Sequence, residues 1–229
     1  MGIRAVIFDL DGCLVDSETM SLDILAEEMT AEGVPSTPDD LRRRFLGVSI
    51  QSIIAHVAQA AGRELRPDFA QRFEDRLLGR YESGLPLMPG ATDLLDALEA
   101  RGITTAIATG GSLRRLRATL QMSGLADRFG DRAFSADEVR RGKPAPDLFL
   151  LAAERLGIKP ASCAVMEDSP HGIAGARTAG MHIVGFVGGS HLDGLREDHA
   201  RRLRDAGADV VLDDLSSMLT ALLTISETS

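Results

Sequence analysis

The sequence of 229 residues is poor in aromatic side chains and has no excess of positive charge. Tryptophan is absent, tyrosine occurs once, aromatic residues make up 4% of the chain, and the formal net charge is -9. Binding of nucleic acid usually relies on aromatic platforms for the bases and on basic surfaces for the phosphates. We therefore expect no nucleic-acid partner, and any phosphate that the protein binds should be small and held in a local site.

Two basic clusters do occur, "LRRRF" at 41–45 and "LRRLR" at 113–117. Their spacing is helical, and an arginine on a helix often lays its apolar stem on the core while its charged head stays in water. We interpret most of these arginines as solvated helix faces.

The sequence also lacks a cysteine framework and a long apolar run. Its two cysteines, Cys13 and Cys163, have no spacing typical of a metal site or a redox pair, which predicts buried free thiols in a reducing compartment. No apolar stretch reaches the length of a transmembrane helix, and we find no signal-peptide pattern. We expect a cytoplasmic protein without membrane contact, and we take a monomer as its default state.

Short apolar runs alternate with helical patterns along most of the chain, and many of the helical patterns end in glycine, a helix-stop signal. The runs are continuously apolar, which is typical of a parallel sheet covered on both faces. The predicted strands are 3–8, 104–109, 132–135, 163–167, 182–186 and 209–212. Examples of the helical patterns between them are 91–102, 112–124, 146–157 and 170–180.

Residues 17–86 break this alternation, because their apolar positions recur only at helical spacing. The stretch "GLPLMPG" at 84–90 is rich in proline and glycine and is typical of a hinge that returns to the main domain. We predict an α/β fold with a Rossmann-like parallel-sheet core, residues 1–16 and 87–229, and an inserted all-helical cap, residues 17–86. The predicted cap helices are 18–33, 38–46, 49–61 and 67–83.

Polar residues follow four of the predicted strands. The carboxyl ends of parallel strands meet at one edge of the sheet, where ligands bind. Clustered carboxylates need a cation or shared protons, and oxygen ligands without a nearby histidine or cysteine favour Mg²⁺. Hydroxyl, backbone amide and lysine donors suit phosphoryl oxygens. The residues concerned are Asp9, Asp11 and Gly12, then Thr109, Gly110, Gly111 and Ser112, then Lys143, and finally Glu167, Asp168 and Ser169.

Four motifs carry a resemblance to a known family. They are "DLDGCLVDSE" (9–18), "IATGGS" (107–112), "GKPAPDLF" (142–149) and "MEDSPHGIAGARTAGM" (166–181). On these motifs the chain resembles, over roughly residues 3–222, the haloacid dehalogenase superfamily of phosphatases, in the branch with a helical cap that includes phosphoglycolate phosphatases and β-phosphoglucomutase-like proteins.

The resemblance implies a mechanism with a covalent intermediate. Asp9 would be the nucleophile and would form an aspartyl-phosphate. Asp11 would protonate the leaving alkoxide and then activate the water that hydrolyses the intermediate. Thr109, Gly110 and Lys143 would hold the phosphoryl group. The substrate would be a small phosphorylated metabolite, such as a sugar phosphate or a phospho-acid.

The resemblance also implies a bound Mg²⁺ as cofactor. Its ligands would be the Asp9 carboxylate, the Asp11 backbone carbonyl and Asp168. Glu167 would bind the metal directly or through water, and the sequence leaves these two alternatives open.

Other activities of the superfamily fit the sequence less well. Dehalogenases resemble the chain but lack the second aspartate, and a phosphonate-cleaving relative needs a cap lysine, which residues 17–86 do not contain. The alternative to hydrolysis is a sugar phosphomutase of the β-phosphoglucomutase type. Its cap carries a Lys-Gly pair followed by Arg, whereas this chain has Leu46, Gly47 and Ile50, and Ser21 aligns with a cap histidine of the mutase. A non-catalytic phosphate-binding protein is a further alternative.

Overall fold

The computed structural model describes residues 2–45, 48 and 50–227. Its centre is a sheet of six parallel strands in the order β3-β2-β1-β4-β5-β6. In chain order these are β1 (Ala5–Phe8), β2 (Thr104–Thr109), β3 (Ala133–Ser135), β4 (Cys163–Glu167), β5 (His182–Phe186) and β6 (Val210–Leu212). All six predicted strands are confirmed, with ends that differ by at most two residues.

Strand β1 lies at the centre of the sheet, between β2 and β4. Ala5 is level with Thr104 on one side and with Cys163 on the other. Every residue of β1 is fully buried, and successive side chains point to opposite faces, so both faces of the sheet are covered. Because the three strands are in register, the residues that follow them meet at one edge.

Helices follow the strands as the sequence predicts. The core helices are α5 (Ala91–Glu99), α6 (Leu113–Met122), α7 (Ala126–Phe129), α8 (Asp147–Leu156), α9 (Pro170–Thr178), α10 (Arg196–Ala206) and α11 (Met218–Glu227).

Between β1 and α5 the chain forms helices without a strand in the described residues, as predicted for the cap. These are α1 (Glu18–Ala31), α2 (Pro38–Phe45), α3 (Ile50–Ala61) and α4 (Phe69–Tyr81). The fold class is therefore confirmed, whereas the domain boundaries at 16/17 and 86/87 stay predictions. Leu46 and Gly47, used above in the comparison with sugar phosphomutases, lie outside the described residues.

The two segments that join the cap to the core run side by side. Val15 forms an isolated antiparallel bridge with Leu87, and the Asp16 amide donates to the carbonyl oxygen of Pro86 at 2.9 Å. The cap thus enters and leaves the core through one narrow connection, the position at which we predict a hinge.

Both cysteines are buried free thiols, as predicted. In the part of the chain that the structure describes, no helix has the length and apolarity needed to cross a bilayer. Cytoplasmic location and a monomeric state stay predictions.

Candidate active site

Asp9 and Lys143 form a buried ion pair directly beyond the end of β1. Lys143 Nζ lies 2.6 Å from Asp9 Oδ1 and also contacts the carboxylate of Glu167. Burial raises the pKa of Asp9 well above its ordinary value; Lys143 opposes this shift, and the charges of Glu167 and Asp168 add to it. Burial alone would lower the pKa of Lys143, but Asp9 and Glu167 raise it above its usual range. The lysine is therefore a permanent cation among carboxylates.

Both carboxylate oxygens of Glu167 are engaged by protein donors. One accepts from Lys143, and the other accepts from the Ser169 amide at 3.1 Å and the Ser169 hydroxyl at 2.9 Å. The carboxylate fits beneath α9 because Gly172 has no side chain; a Cβ there would lie 1.9 Å from the Glu167 carboxyl carbon. This geometry favours a role for Glu167 in positioning Lys143 over direct metal ligation.

Asp11 is held by two donors from different parts of the chain. Its Oδ1 accepts from the Ser17 hydroxyl at 2.5 Å and lies 2.8 Å from Arg115 Nη2. Arg115 belongs to the "LRRLR" cluster, but its side chain is only 14% exposed, so it is an exception among arginines that we interpret mostly as solvated. The first turn of α6 faces the strand ends, and this position brings Arg115 into the site.

Residues of the cap surround Arg115 from the other side. Arg115 donates to the Tyr81 hydroxyl at 3.2 Å and lies 3.9 Å from Glu18. Burial raises the pKa of Glu18 to about 7; Arg115 opposes this shift and Asp11 adds to it. Glu18 and Tyr81 therefore form a polar wall beside the predicted acid/base residue.

Strand β2 ends at Thr109, and the loop after it holds Gly110 and Ser112. The buried Thr109 hydroxyl accepts from the Gly111 amide at 3.0 Å, and Ser112 caps α6 by accepting from the Arg115 amide at 3.0 Å. By register Thr109 is level with the loop after β1. Among the described residues no hydrogen bond joins Thr109 or Gly110 to Asp9, so their phosphate-binding role stays a prediction.

Asp9, Cys13 and Asp168 bring potential metal-ligand atoms within 4.8 Å of one another. Two buried carboxylates at this separation suit a hard divalent cation, so the donor set fits Mg²⁺. Gly12, at φ +78°, makes the approach feasible, because a Cβ there would lie 2.3 Å from Asp168 Oδ2. The expectation that no cysteine lies near is wrong for Cys13. Burial, followed by the charges of the carboxylates, raises the pKa of this thiol, which disfavours a thiolate ligand.

The sequence reasoning missed two histidines that contact Asp168. His191 Nε2 lies 3.2 Å from Asp168 Oδ2, and His199 Nε2 lies 2.6 Å from the Asp168 carbonyl oxygen. A signal for His191 was present, because "GGSH" (188–191) follows β5, the strand that pairs with β4.

Comparison with known proteins agrees with this geometry. The model of the haloacid dehalogenase-like hydrolase family matches residues 3–180. The chain belongs to this family. Curated relatives that match it are named as phosphatases, and the chain is accordingly a phosphoric monoester hydrolase of the haloacid dehalogenase-like family.

Two relatives and one solved structure illustrate the similarity. The phosphorylated carbohydrates phosphatase of Thermotoga maritima is 30% identical, over 90% of this chain and 92% of the relative. SUPPRESSOR OF QUENCHING 1, a chloroplastic protein of Arabidopsis thaliana, is 33% identical over 94% of this chain, which spans only 20% of that protein. The crystal structure of a family hydrolase from Deinococcus radiodurans with bound phosphate and sodium has a TM-score of 0.74 and 33% identity, covering 96% of this chain and 95% of that one.

Proposed function

We propose that this phosphatase hydrolyses a small phosphorylated metabolite, a sugar phosphate or a phospho-acid, through an aspartyl-phosphate on Asp9 with Mg²⁺ as cofactor. The observation that carries the proposal is the buried Asp9 carboxylate, paired with Lys143 at 2.6 Å and grouped with Asp168. The phosphorylated carbohydrates named for the Thermotoga relative support this substrate class.

In the first step an Asp9 carboxylate oxygen attacks phosphorus, and the bond from phosphorus to the ester oxygen breaks with its electron pair on that oxygen. Asp11 donates the proton that makes the leaving group an alcohol. In the second step Asp11 takes a proton from water as the water oxygen attacks phosphorus. Inorganic phosphate leaves, and the Asp9 carboxylate is regenerated.

Residues of the chain hold the participants of this reaction. The Asp9 carboxylate, the Asp11 backbone carbonyl and Asp168 would hold Mg²⁺. When bound, the metal supplies positive charge that offsets charge on the phosphoryl oxygens. Lys143 would place a fixed positive charge beside the phosphoryl group of the substrate, and Glu167 would orient Lys143 through the contact between them.

Asp11 needs a fixed orientation because it acts twice. Arg115 and Ser17 supply it through the contacts of 2.8 and 2.5 Å. In this proposal Arg115 is a positioning residue that acts through Asp11.

The first experiment measures phosphate release from p-nitrophenyl phosphate with and without Mg²⁺, for the parent and for Asp9→Asn. We expect release that requires Mg²⁺ in the parent and no detectable turnover in D9N, because an amide is too weak a nucleophile to attack phosphorus. Asp131→Asn changes an exposed aspartate and serves as the matched control with parent activity. Thermal unfolding of D9N checks that the variant is folded. Full activity of folded D9N would exclude Asp9 as the nucleophile.

A second experiment measures kcat/KM for a panel of phosphorylated metabolites, and the ranking identifies the preferred substrate class. The products of the same assays distinguish a hydrolase from a sugar phosphomutase. A hydrolase releases inorganic phosphate in step with substrate loss. A sugar phosphomutase converts one sugar phosphate into its isomer, and the amount of free phosphate stays constant. Isomer formation without phosphate release would replace the hydrolase proposal with the mutase.

A further inference from the structure

Two buried histidines contact Asp168, and neither belongs to the motifs that define the site. His191 lies in a short 3-10 helix at 190–192 in the loop after β5, and His199 lies in α10. Each is only 2% exposed. Since a buried imidazole loses hydration of its nitrogens, its polar contacts should explain its place.

His199 fixes the backbone of Asp168. Its Nε2 lies 2.6 Å from the Asp168 carbonyl oxygen, and a carbonyl can only accept, so Nε2 carries the hydrogen.

His191 faces the carboxylate of the same residue. Its Nε2 lies 3.2 Å from Asp168 Oδ2. Within the described part of the chain, neither ring nitrogen of His191 makes a well-formed hydrogen bond. The short approach to Asp168 is thus the polar contact that can account for a fully enclosed ring.

The space for this ring depends on two glycines from separate loops. A Cβ at Gly189 would lie 2.5 Å from His191 Cε1, and a Cβ at Gly12 would lie 3.1 Å from the same atom. A side chain at Gly189 would displace the ring, and one at Gly12 would displace Asp168 and crowd the ring. The two glycines therefore leave the space in which the His191 ring approaches Asp168.

The loop that carries His191 is also fastened to the surroundings of the site. Arg42 of α2 donates to the His191 carbonyl oxygen at 3.3 Å, and the Ser190 hydroxyl donates to Asp16 at 2.8 Å. These bonds fix the backbone on both sides of the ring and limit the positions that its Nε2 can take.

From these contacts we infer that His191 is a positioning residue for the metal ligand Asp168: its Nε2, 3.2 Å from Oδ2, limits the carboxylate to orientations that bind a divalent cation, while His199 holds the backbone of the same residue. The inference rests on the metal site of the proposed function. Loss of a partner that orients a metal ligand commonly weakens metal binding about 10- to 100-fold.

The test measures Mn²⁺ binding to the substrate-free protein by electron paramagnetic resonance. Mn²⁺ replaces Mg²⁺ because Mn²⁺ is paramagnetic and gives a signal, whereas Mg²⁺ gives none. The amide nitrogen of glutamine can occupy the position of histidine Nε2, whereas that of asparagine falls near Nδ1. We expect His191→Asn to weaken Mn²⁺ binding about tenfold or more and His191→Gln to bind within about threefold of the parent. Melting temperatures of the metal-free proteins verify folding.

His182→Asn is the matched control, because His182 begins the same strand β5 at the opposite end of the sheet; it should bind Mn²⁺ like the parent. Parent-like binding by H191N, or an equal loss in H191N and H191Q, would overturn the inference. If H191N does not fold, His191→Phe, which keeps a ring but no nitrogen, is measured instead with the same expected loss. Failure of the parent itself to bind Mn²⁺ would count against the proposed metal site, and the inference would fall with it.

Discussion

Lys143 is the residue on which the electrostatics of the site depend. It is only 9% exposed and contacts Asp9 and Glu167 together. A bound phosphate would bring further negative charge to this region. The lysine therefore acts on the transferring group, whose charge changes along the reaction, and its effect belongs to turnover as well as to binding.

Lys143→Ala should lower kcat on p-nitrophenyl phosphate about 10²- to 10³-fold, the usual cost of losing one fixed donor to a developing charge. Lys159, the other lysine of the chain, is exposed before β4, and Lys159→Ala is the control with unchanged kcat. A K143A enzyme that stays folded and keeps near-normal kcat would refute the role given to Lys143.

At the residue scale, the sequence predicted the side chains that follow a strand directly, such as Asp9, and Lys143 in the "GKPAPDLF" motif. It missed Arg115 and the two histidines. Asp9 and Asp168 are fixed by register with β1 and β4, and register follows from the apolar strands. Arg115 lies in the first turn of α6, and nothing in the surrounding sequence distinguishes it from the solvated arginines beside it. The position of His191 depends on the path of a glycine-rich loop, which periodicity does not encode.

At the scale of elements, a buried carboxylate joins the cap helices. Glu32, at the end of α1, is fully enclosed and contacts Arg63, Arg66 and Arg72, which lie between α3 and α4 or on α4, at 2.8–3.0 Å. Burial alone would raise the pKa of Glu32, but hydrogen bonds from Arg66 and Arg63 lower it below the ordinary value. The ionised carboxylate thus stabilises the packing of these helices.

Glu32→Gln should lower the free energy of unfolding by about 1.5 kcal/mol at pH 7. This is the low end of the range of about 1.5–3 kcal/mol for hydrogen bonds to charged groups. We expect the low end because Arg63 and Arg66 are 50% and 52% exposed, so water and salt screen their charges. The folded-state pKa is depressed, so the contribution is complete above the unfolded pKa of about 4.3 and is lost as the pH falls through the folded value.

Urea unfolding of parent and E32Q between pH 7 and about pH 3 measures how the contribution of Glu32 depends on pH. Glu64→Gln, which changes an exposed glutamate nearby, is the control. The difference in free energy between parent and E32Q should shrink on acidification, whereas a constant difference would contradict the assignment to charge.

The elements themselves could be predicted well because their apolar patterns are long and their ends carry glycine or proline. The cap helices followed from periodicity alone. The contacts between the cap helices could not be predicted in this way. Glu32 and its arginine partners are far apart along the chain, and in the sequence they look like ordinary surface charges.

At the scale of the whole molecule, the cap contacts the loop after β2. The Ser112 hydroxyl donates to Glu74 of α4 at 2.6 Å, and Arg114 contacts the neighbouring Asp75. Glu74 is 19% exposed and Asp75 is 46% exposed, so the first contact is the better protected from solvent. The hinge predicted at 84–90 would let the cap close over substrate and exclude bulk water, and Glu74 is the residue at which this closure can be tested.

Glu74→Ala should raise KM for a phosphate ester by up to about tenfold, because a hydrogen bond to a charged group contributes about 1.5 kcal/mol and its loss reduces the population of the closed form. Asp75→Ala, which removes only an exposed ion pair, should leave KM within about twofold. Steady-state kinetics of both variants measure the two KM values. Equal changes in KM would mean that the contact between Glu74 and Ser112 does not stabilise the closed form.

The central position of β1 has a consequence for biosynthesis. This strand precedes the other five along the chain, but its neighbours are β2 (Thr104–Thr109) and β4 (Cys163–Glu167), so one of its edges stays unpaired until Glu167 has been synthesised. Non-local pairing of this kind slows folding and exposes the segment to aggregation. A nascent chain that stops before Cys163 has neither Asp168 nor the strand that covers one side of β1. An amino-terminal fragment that ends before Cys163 should therefore show no phosphatase activity.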